Sequence, residues 1–238
     1  MGAVRVRRVV TTRSGGASRA PFDQFNLSAL VGDDPAAVAA NRRRLAAGVG
    51  LPIGSVVWLR QVHGTATATV TEPPEQDLAD TDAVVTDRPG LALAVLAADC
   101  VPVLLADPSA GVLGAVHAGR VGAADGVLPS ALAAMRRLGA RPEHTEALLG
   151  PSVCGACYEV PAAMRDQVDA ALPASACLTR AGTPGLDLRA GLREQLRALG
   201  VTRVDTDPRC TVEDPDLYSH RRDGHTGRLA ALTWLDPN

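Results

Sequence analysis

Apolar residues dominate the stretch between residues 83 and 118, in four blocks separated by short turn sequences. The blocks are AVVT, LALAVLA, VPVLLA and GVLGAV; an Arg-Pro-Gly turn divides the first two, and DPSAG divides the last two. Short apolar runs bounded by turn residues predict strands, and the last two runs predict a β-hairpin. Further strands are expected at VRRVVTT, at SVVWLRQVHG (residues 55–64), and at EALLG, VTRVDTD and GRLAALTWL. Elsewhere the spacing changes to three and four. DPAAVAANRRRLAAGVG carries Asp33 or Asp34 as cap and Pro35 in the first turn, with Gly48 or Gly50 to close it. VGAADGVLPSALAAMRRLG reads as helical in its later part. PAAMRDQVDAAL places Met164, Val168 and Leu172 four apart, and LDLRAGLREQLRALG begins at Asp187 and stops at Gly200. The Arg42–Arg44 run reads as a solvated helix face. Strands and helices are mixed without strict alternation and without repeats or long linkers. The expected fold is therefore α/β, with a mixed sheet covered by helices, in one domain over residues 1–238.

Composition narrows the function classes. Aromatic residues are only 3% of the 238, so the core must be built from Ala, Val and Leu. Twenty-four basic against twenty-six acidic side chains leave a net charge of −2, which supplies no field for nucleic acid. The apolar stretches are broken by Asp, Pro or Gly before they reach membrane-spanning length, so no membrane association is expected. MGAVRVRRVVTTRSGG lacks an apolar segment after its basic residues, and the five cysteines are an odd number. Reduced thiols and a cytoplasmic location are the expectation.

The chemistry sits at the ends of the predicted hairpin, AADCVPVLLADPSAGVLGAVHAG. A turn centred on Pro108–Ser109 would pair Cys100 with His117 on one sheet face, within reach of one atom. A one-residue slip would separate them. Of the other histidines, His63 ends an apolar strand beside Gly64, as His117 stands beside Ala118–Gly119. His144, His220 and His225 lie in polar segments. Two histidines and a cysteine with an open fourth position suit zinc. The plainer alternative is a core thiol with two hydrogen-bonded imidazoles. Cys154 and Cys157 form a lone C-x-x-C, half of a zinc knuckle or a redox pair by pattern but read here as structural. Cys177 and Cys210 have no partner visible in the sequence.

QVHG, ADTDAVVT, AADCVPVLLAD, AVHAG, LLGPS…CYEV, CT and S-x-RRDG-x-TGR occur in that order. With VGDDPAAVAANRRRL they make the chain resemble the laccase-domain family, also called the polyphenol-oxidase or peptidoglycan-editing-factor family, over about residues 8–235. The resemblance implies a layered sandwich of mixed sheets covered by helices, related to deamidating toxins. It implies zinc held by His63, Cys100 and His117. It also implies phosphorolysis of adenosine, inosine, guanosine and methylthioadenosine, deamination of adenosine, and a tie to editing of peptidoglycan precursors. Two positions depart from the family's pattern. HAGRVG places Arg120 and Val121 where the family usually reads Trp and Arg, and His220 stands where many relatives carry an aromatic residue.

The word laccase can be tested by counting ligands. A blue-copper site and a trinuclear cluster together need more imidazoles than the five this chain has, so multicopper oxidation is excluded. The expected partners are a purine nucleoside and phosphate; oligomeric state is not fixed by the sequence, with a monomer the default. Deamination calls for a water activated by zinc. Phosphorolysis calls for cationic groups to hold the anion, with Arg13, Arg221, Arg222 and Arg228 as candidates. Asp99 is the candidate for proton transfer or for orienting a histidine, and Asn26 and Gln61 for hydrogen bonds to sugar or base. Two other readings keep the same residues: a hydrolase or amidase with Cys100 as nucleophile activated by His117 or His63, and a zinc-binding module without catalysis.

Overall fold

The computed structural model describes residues 5–236. In chain order its strands are β1 (Val6–Val10), β2 (Val56–Val57), β3 (Thr67–Thr69), β4 (Ala83–Thr86), β5 (Ala92–Ala97), β6 (Val101–Asp107), β7 (Val112–Ala118), β8 (Glu146–Leu149), β9 (Ala176–Leu178), β10 (Pro184–Leu186), β11 (Arg203–Thr206) and β12 (Leu229–Leu235). The helices are α1 (Pro35–Gly48), α2 (Arg120–Asp125), α3 (Val127–Arg137), α4 (Ala162–Ala171), α5 (Leu188–Ala198) and the single turn α6 (His220–Asp223). One sheet has the order β1-β12-β5-β2 and the other β11-β8-β6-β7-β4-β3, with β9 and β10 a separate hairpin. Both large sheets are mixed, since β2–β5, β3–β4 and β8–β11 pair in parallel and the rest antiparallel.

The continuous apolar runs follow from burial on both faces. On β5, Leu93 and Val95 join Leu104, Ala106, Leu113 and Ala115 in a core between the two sheets. The alternate residues Ala92, Ala94 and Leu96 pack with Leu45 and Trp58 beneath α1. Val101, Val103, Leu105 and Val116 face the other way, against Leu128, Met135 and Leu192 of the covering helices. The molecule is thus a layered α/β sandwich of mixed sheets with helices on the outside. Aromatic scarcity has the expected result: Val, Leu and Ala fill these layers.

Local chemistry explains most element ends. The Asp34 side chain accepts from Ala36 N–H at the start of α1, and Asp187 accepts from Ala190 N–H at the start of α5. Gly126, at φ +96°, separates α2 from α3, where the sequence suggested one later helix. Residues 55–64 are strand only at Val56–Val57, because the rest pairs with a loop: Arg60 N–H donates to Leu78 C=O at 2.8 Å. Arg42 is not merely solvated. It makes a bidentate pair with Asp77, at 2.9 Å for each bond, and stacks 4.3 Å from the Trp58 ring.

Candidate metal centre and the cleft around it

The β6–β7 hairpin has a different register from the one its turn suggested. Pro102, not Cys100, is paired with His117, because four residues (108–111) form the turn. The offset is two residues, so the face is conserved and the site survives. Cys100, just before β6, reaches His117 diagonally. His117 alternates with Leu113 and Ala115, which puts its ring at the edge of the core between the sheets.

A buried aspartate that the sequence reading did not single out organises the centre. Continuing the β4–β7 pairing beyond Ala83↔Val116 sets Asp82 opposite His117. His117 N–H donates to Asp82 C=O at 2.7 Å, and His117 Nδ1 donates to Asp82 Oδ1 at 2.8 Å. The same carboxylate accepts from the backbone N–H groups of Val62, His63 and Gly64 at 3.1, 3.0 and 2.8 Å. Those bonds hold His63 at φ +62°, a conformation uncommon for a non-glycine residue. Glycines let the loop approach: a Cβ on Gly119 would lie 2.6 Å from His63 Cδ2, and one on Gly122 would lie 2.5 Å from Gly64 O.

One donor atom each from His63, Cys100 and His117 lies within 4.8 Å of the others. Cys100 Sγ is 3.7 Å from His63 Nε2, near the edge of about 3.6 Å that a tetrahedral zinc with these ligands would have. With Nδ1 committed to Asp82, His117 presents Nε2, the carboxylate–histidine arrangement that orients metal ligands. The donor set therefore fits zinc.

In the absence of a metal the thiol and the imidazole form an ion pair. Burial alone would raise the Cys100 thiol, but the His117 charge and hydrogen bonds from both histidines outweigh it and bring the pKa down to about 6. Burial likewise opposes protonation of His117, yet Cys100 and Asp82 raise it to about 9. Asp82 is held below the usual carboxylate range: burial opposes this, and the hydrogen bonds from His117, Gly64 and Val62 overcome it.

The centre opens into a cleft of about 410 Å³, a size suited to a small organic ligand. Arg120, Arg221 and Arg228 supply positive charge on its wall, while Leu59, Leu96 and Tyr158 supply apolar surface. Arg221 stacks 5.1 Å from the Tyr158 ring. Burial raises the Tyr158 phenol, against the opposing pull of Arg120 and Arg221.

The remaining sequence-derived candidates sort into wall and scaffold. Gln61 lines the cleft, but its amide is engaged with the Leu96 backbone, donating and accepting at 2.7 Å. Asn26 is fully buried; it donates to Ser28 C=O and Asp33 and accepts from Arg228 N–H, so it shapes the wall and does not face a substrate. Arg13 is not among the lining residues; it pairs with Asp23 and Asp223 and stacks on Tyr218. Arg222 is likewise tied down, donating to the carbonyls of Thr211, Asp214 and Leu217. Asp99 lines the cleft at φ +95°, yet its carboxylate accepts from Thr211, Ser219 and Arg221 N–H at 2.6, 2.7 and 2.6 Å. The carboxylate that orients a histidine is Asp82, not Asp99.

A layered fold of mixed sheets with a His–Cys–His centre at the end of the inter-sheet core defines a class of cleft-bearing, metal-competent α/β proteins. The chain belongs to the family described as multi-copper polyphenol oxidoreductase laccase, matched over residues 7–236. A Mycobacterium tuberculosis protein named purine nucleoside phosphorylase is 61% identical, covering 98% of this chain and 94% of its own. A Corynebacterium glutamicum protein of the same name is 53% identical, covering 97% and 94%. Among solved structures, YlmD from Geobacillus stearothermophilus is similar with TM-score 0.92 and 34% identity, covering 98% of this chain and 92% of that one. Neisseria meningitidis NMB0706, of family DUF152, is similar with TM-score 0.88 and 38% identity, covering 98% and 95%. The copper in the family's description finds no matching ligand set: His144, His220 and His225 belong to neither of the two metal-competent clusters among the described residues. No helix among those residues is long and apolar enough to cross a membrane.

Proposed function

We propose that this protein is a zinc-dependent purine nucleoside phosphorylase that also deaminates adenosine. The observation that carries the reading is one cleft that combines the His63–Cys100–His117 donor set with the guanidinium groups of Arg120, Arg221 and Arg228. Relatives named purine nucleoside phosphorylase, at 61% and 53% identity, support it.

The metal ligands in this reading are His63, Cys100 and His117, and zinc, when bound, supplies a Lewis acid that lowers the pKa of water. Asp82 fixes the tautomer of His117 and sets the loop that carries His63. In phosphorolysis a phosphate oxygen attacks the anomeric carbon while the bond to the purine nitrogen breaks, and the base departs with the electron pair and gains a proton. Arg120, Arg221 and Arg228 hold the phosphate and offset its charge. Leu59, Leu96 and Tyr158 receive the base. Deamination adds water at the amino-bearing carbon and releases ammonia.

The decisive experiment incubates the purified, zinc-assayed protein with adenosine, with and without phosphate. Phosphate-dependent adenine and ribose 1-phosphate report phosphorolysis; phosphate-independent inosine reports deamination. Neither product from zinc-loaded protein would remove the reading and leave a zinc-binding module. One observation favours a second reading. Without metal, a Cys100 thiolate beside protonated His117 is the pair a cysteine hydrolase or amidase uses, here on a peptidoglycan precursor. That reading requires turnover by metal-free protein, abolished in Cys100→Ala.

A further inference from the structure

A second donor cluster shares no residue with the first. Cys154, Cys157, Cys210 and Glu213 bring one ligand atom each within 4.8 Å of one another. The C-x-x-C that looked solitary in sequence has its counterpart in Cys210-Thr-Val-Glu213, more than fifty residues later.

Both segments are tight turns of the same form. Cys157 and Tyr158 N–H donate to Cys154 C=O at 3.0 Å; Glu213 and Asp214 N–H donate to Cys210 C=O at 3.1 and 2.8 Å. Ligands therefore occupy the first and last positions of each turn. The turns are fastened side by side: Ser152 and Cys210 form a parallel bridge, and Thr211 N–H donates to Ser152 C=O at 3.1 Å. Cys154 N–H points at Cys210 Sγ at 3.4 Å, a bond that favours the sulfur as thiolate. Glu213 stands beside the Cys157 thiol, within 4.8 Å, and Arg180 pairs with one of its carboxylate oxygens.

We propose that Cys154, Cys157, Cys210 and Glu213 hold a second zinc ion, in a closed tetrahedral site of three thiolates and one carboxylate. Soft thiolates select zinc over hard cations, and four protein ligands leave no position for substrate, so the ion is structural. Ideal geometry sets sulfurs about 3.8 Å apart, and the donor atoms here all lie within 4.8 Å of one another. The three thiols release their protons on binding, and Arg180 supplies compensating charge. Cys177 packs against the first turn, with its thiol 3.5 Å from Gly155 O, and lies outside the donor set.

The position of this ion gives it a consequence for the cleft. Val153, next to Cys154, donates its N–H to Asp99 C=O at 3.0 Å, and Thr211, next to Cys210, donates to the Asp99 carboxylate at 2.6 Å. Asp99 precedes Cys100. The second zinc thus pins together the two segments that grip the backbone beside the first centre, and it fixes Tyr158, which follows Cys157 on the cleft wall.

The test is metal analysis of the full chain purified under reducing conditions. Two zinc ions per chain are expected, one in Cys157→Ser and one in Cys100→Ala. A single zinc that persists in Cys157→Ser and disappears in Cys100→Ala overturns the proposal. Where Cys157→Ser fails to fold, cobalt substitution of the wild type decides. Thiolate-to-cobalt absorption from both centres is expected, and absorption matching Cys100 alone overturns it. A disulfide among Cys154, Cys157 and Cys210 in protein kept from air, seen as loss of two hydrogens by mass spectrometry, also overturns it. None of these readouts involves nucleoside turnover, so the proposal and the enzymatic reading fail independently.

Discussion

Asp82 and His117 are cross-strand neighbours joined twice, through the His117 N–H to the Asp82 carbonyl and through Nδ1 to the Asp82 carboxylate. That carboxylate touches both the ring of one proposed ligand and the backbone of another, since His63 N–H donates to the same oxygen that accepts from His117 Nδ1. It converts strand register into the placement of the two imidazoles. Asp82→Asn keeps the shape but loses the charge and part of the accepting capacity. Zinc affinity is expected to fall ~10–100-fold, as for other carboxylates behind a metal-bound histidine. Competition with a chromophoric chelator measures it, and an unchanged dissociation constant would refute the role. Asp82→Ala also strands the buried His117 Nδ1–H, at a cost of ~1–3 kcal/mol, and frees three part-buried backbone N–H groups to water, so its thermal midpoint should fall as well.

Removing the metal should reveal the thiolate. Cys100 titrates at about 6 against an ordinary 9.0, and His117 at about 9 against 6.5. The depressed thiol contributes stability that is full above its unfolded pKa and is lost as pH falls through about 6. The raised imidazole contributes stability that is full below 6.5 and is lost as pH rises through about 9. Each group is a main cause of the other's shift, so they act as one ion pair, present between those limits. Chelator-treated protein should therefore alkylate at Cys100 with a midpoint near 6, moving toward 9 in His117→Ala. A wild-type midpoint near 9 would show that the pair does not form.

Much of this was legible in the chain because strand periodicity is two. The error in the hairpin, pairing His117 with Cys100 instead of Pro102, was an even number of residues, so the face assigned to each side chain was right. Asp82 was missed because its partner comes from a strand pairing between β4 and β7 that no local turn fixes. The signal was present: the same antiparallel arithmetic that joins Cys100 to His117 can be run on TDAVV against GAVHA. Asp99 and Cys210 were illegible for a stronger reason. Their partners, Thr211 and Ser219 in one case and Cys154 in the other, lie 112, 120 and 56 residues away. Only the folded chain brings them together.

Gly119 is where backbone clearance and ligand placement meet. A methyl group there would lie 2.6 Å from His63 Cδ2 and 3.3 Å from Cys100 Sγ, so Gly119→Ala must push one of the two ligands aside. Loss of metal at the first centre is expected, with the far-ultraviolet circular dichroism unchanged. Gly48→Ala, at a position with nothing within 4 Å, is the control that should keep full occupancy. Retained occupancy in Gly119→Ala would mean that His63 is not held as described.

Arg120 is the clearest test of what the wall of the cleft does, because it is a cation beside Tyr158 at a position where the resemblance implies an aromatic residue. Arg120 lines the cleft beside Tyr158, whereas Arg222 is spent on backbone carbonyls. The two arginines should therefore behave differently. A charge-assisted hydrogen bond contributes ~1.5–3 kcal/mol, so Arg120→Ala should raise the KM for phosphate ~10-fold or more. The KM for nucleoside and the melting temperature should change little. Arg222→Ala should do the reverse, lowering the melting temperature with phosphate KM nearly unchanged. Arg120→Trp separates charge from shape: if the cation holds phosphate, this variant loses phosphate affinity as Arg120→Ala does. Equal phosphate KM values in wild type, Arg120→Ala and Arg120→Trp would move the anion-holding role to Arg221 and Arg228.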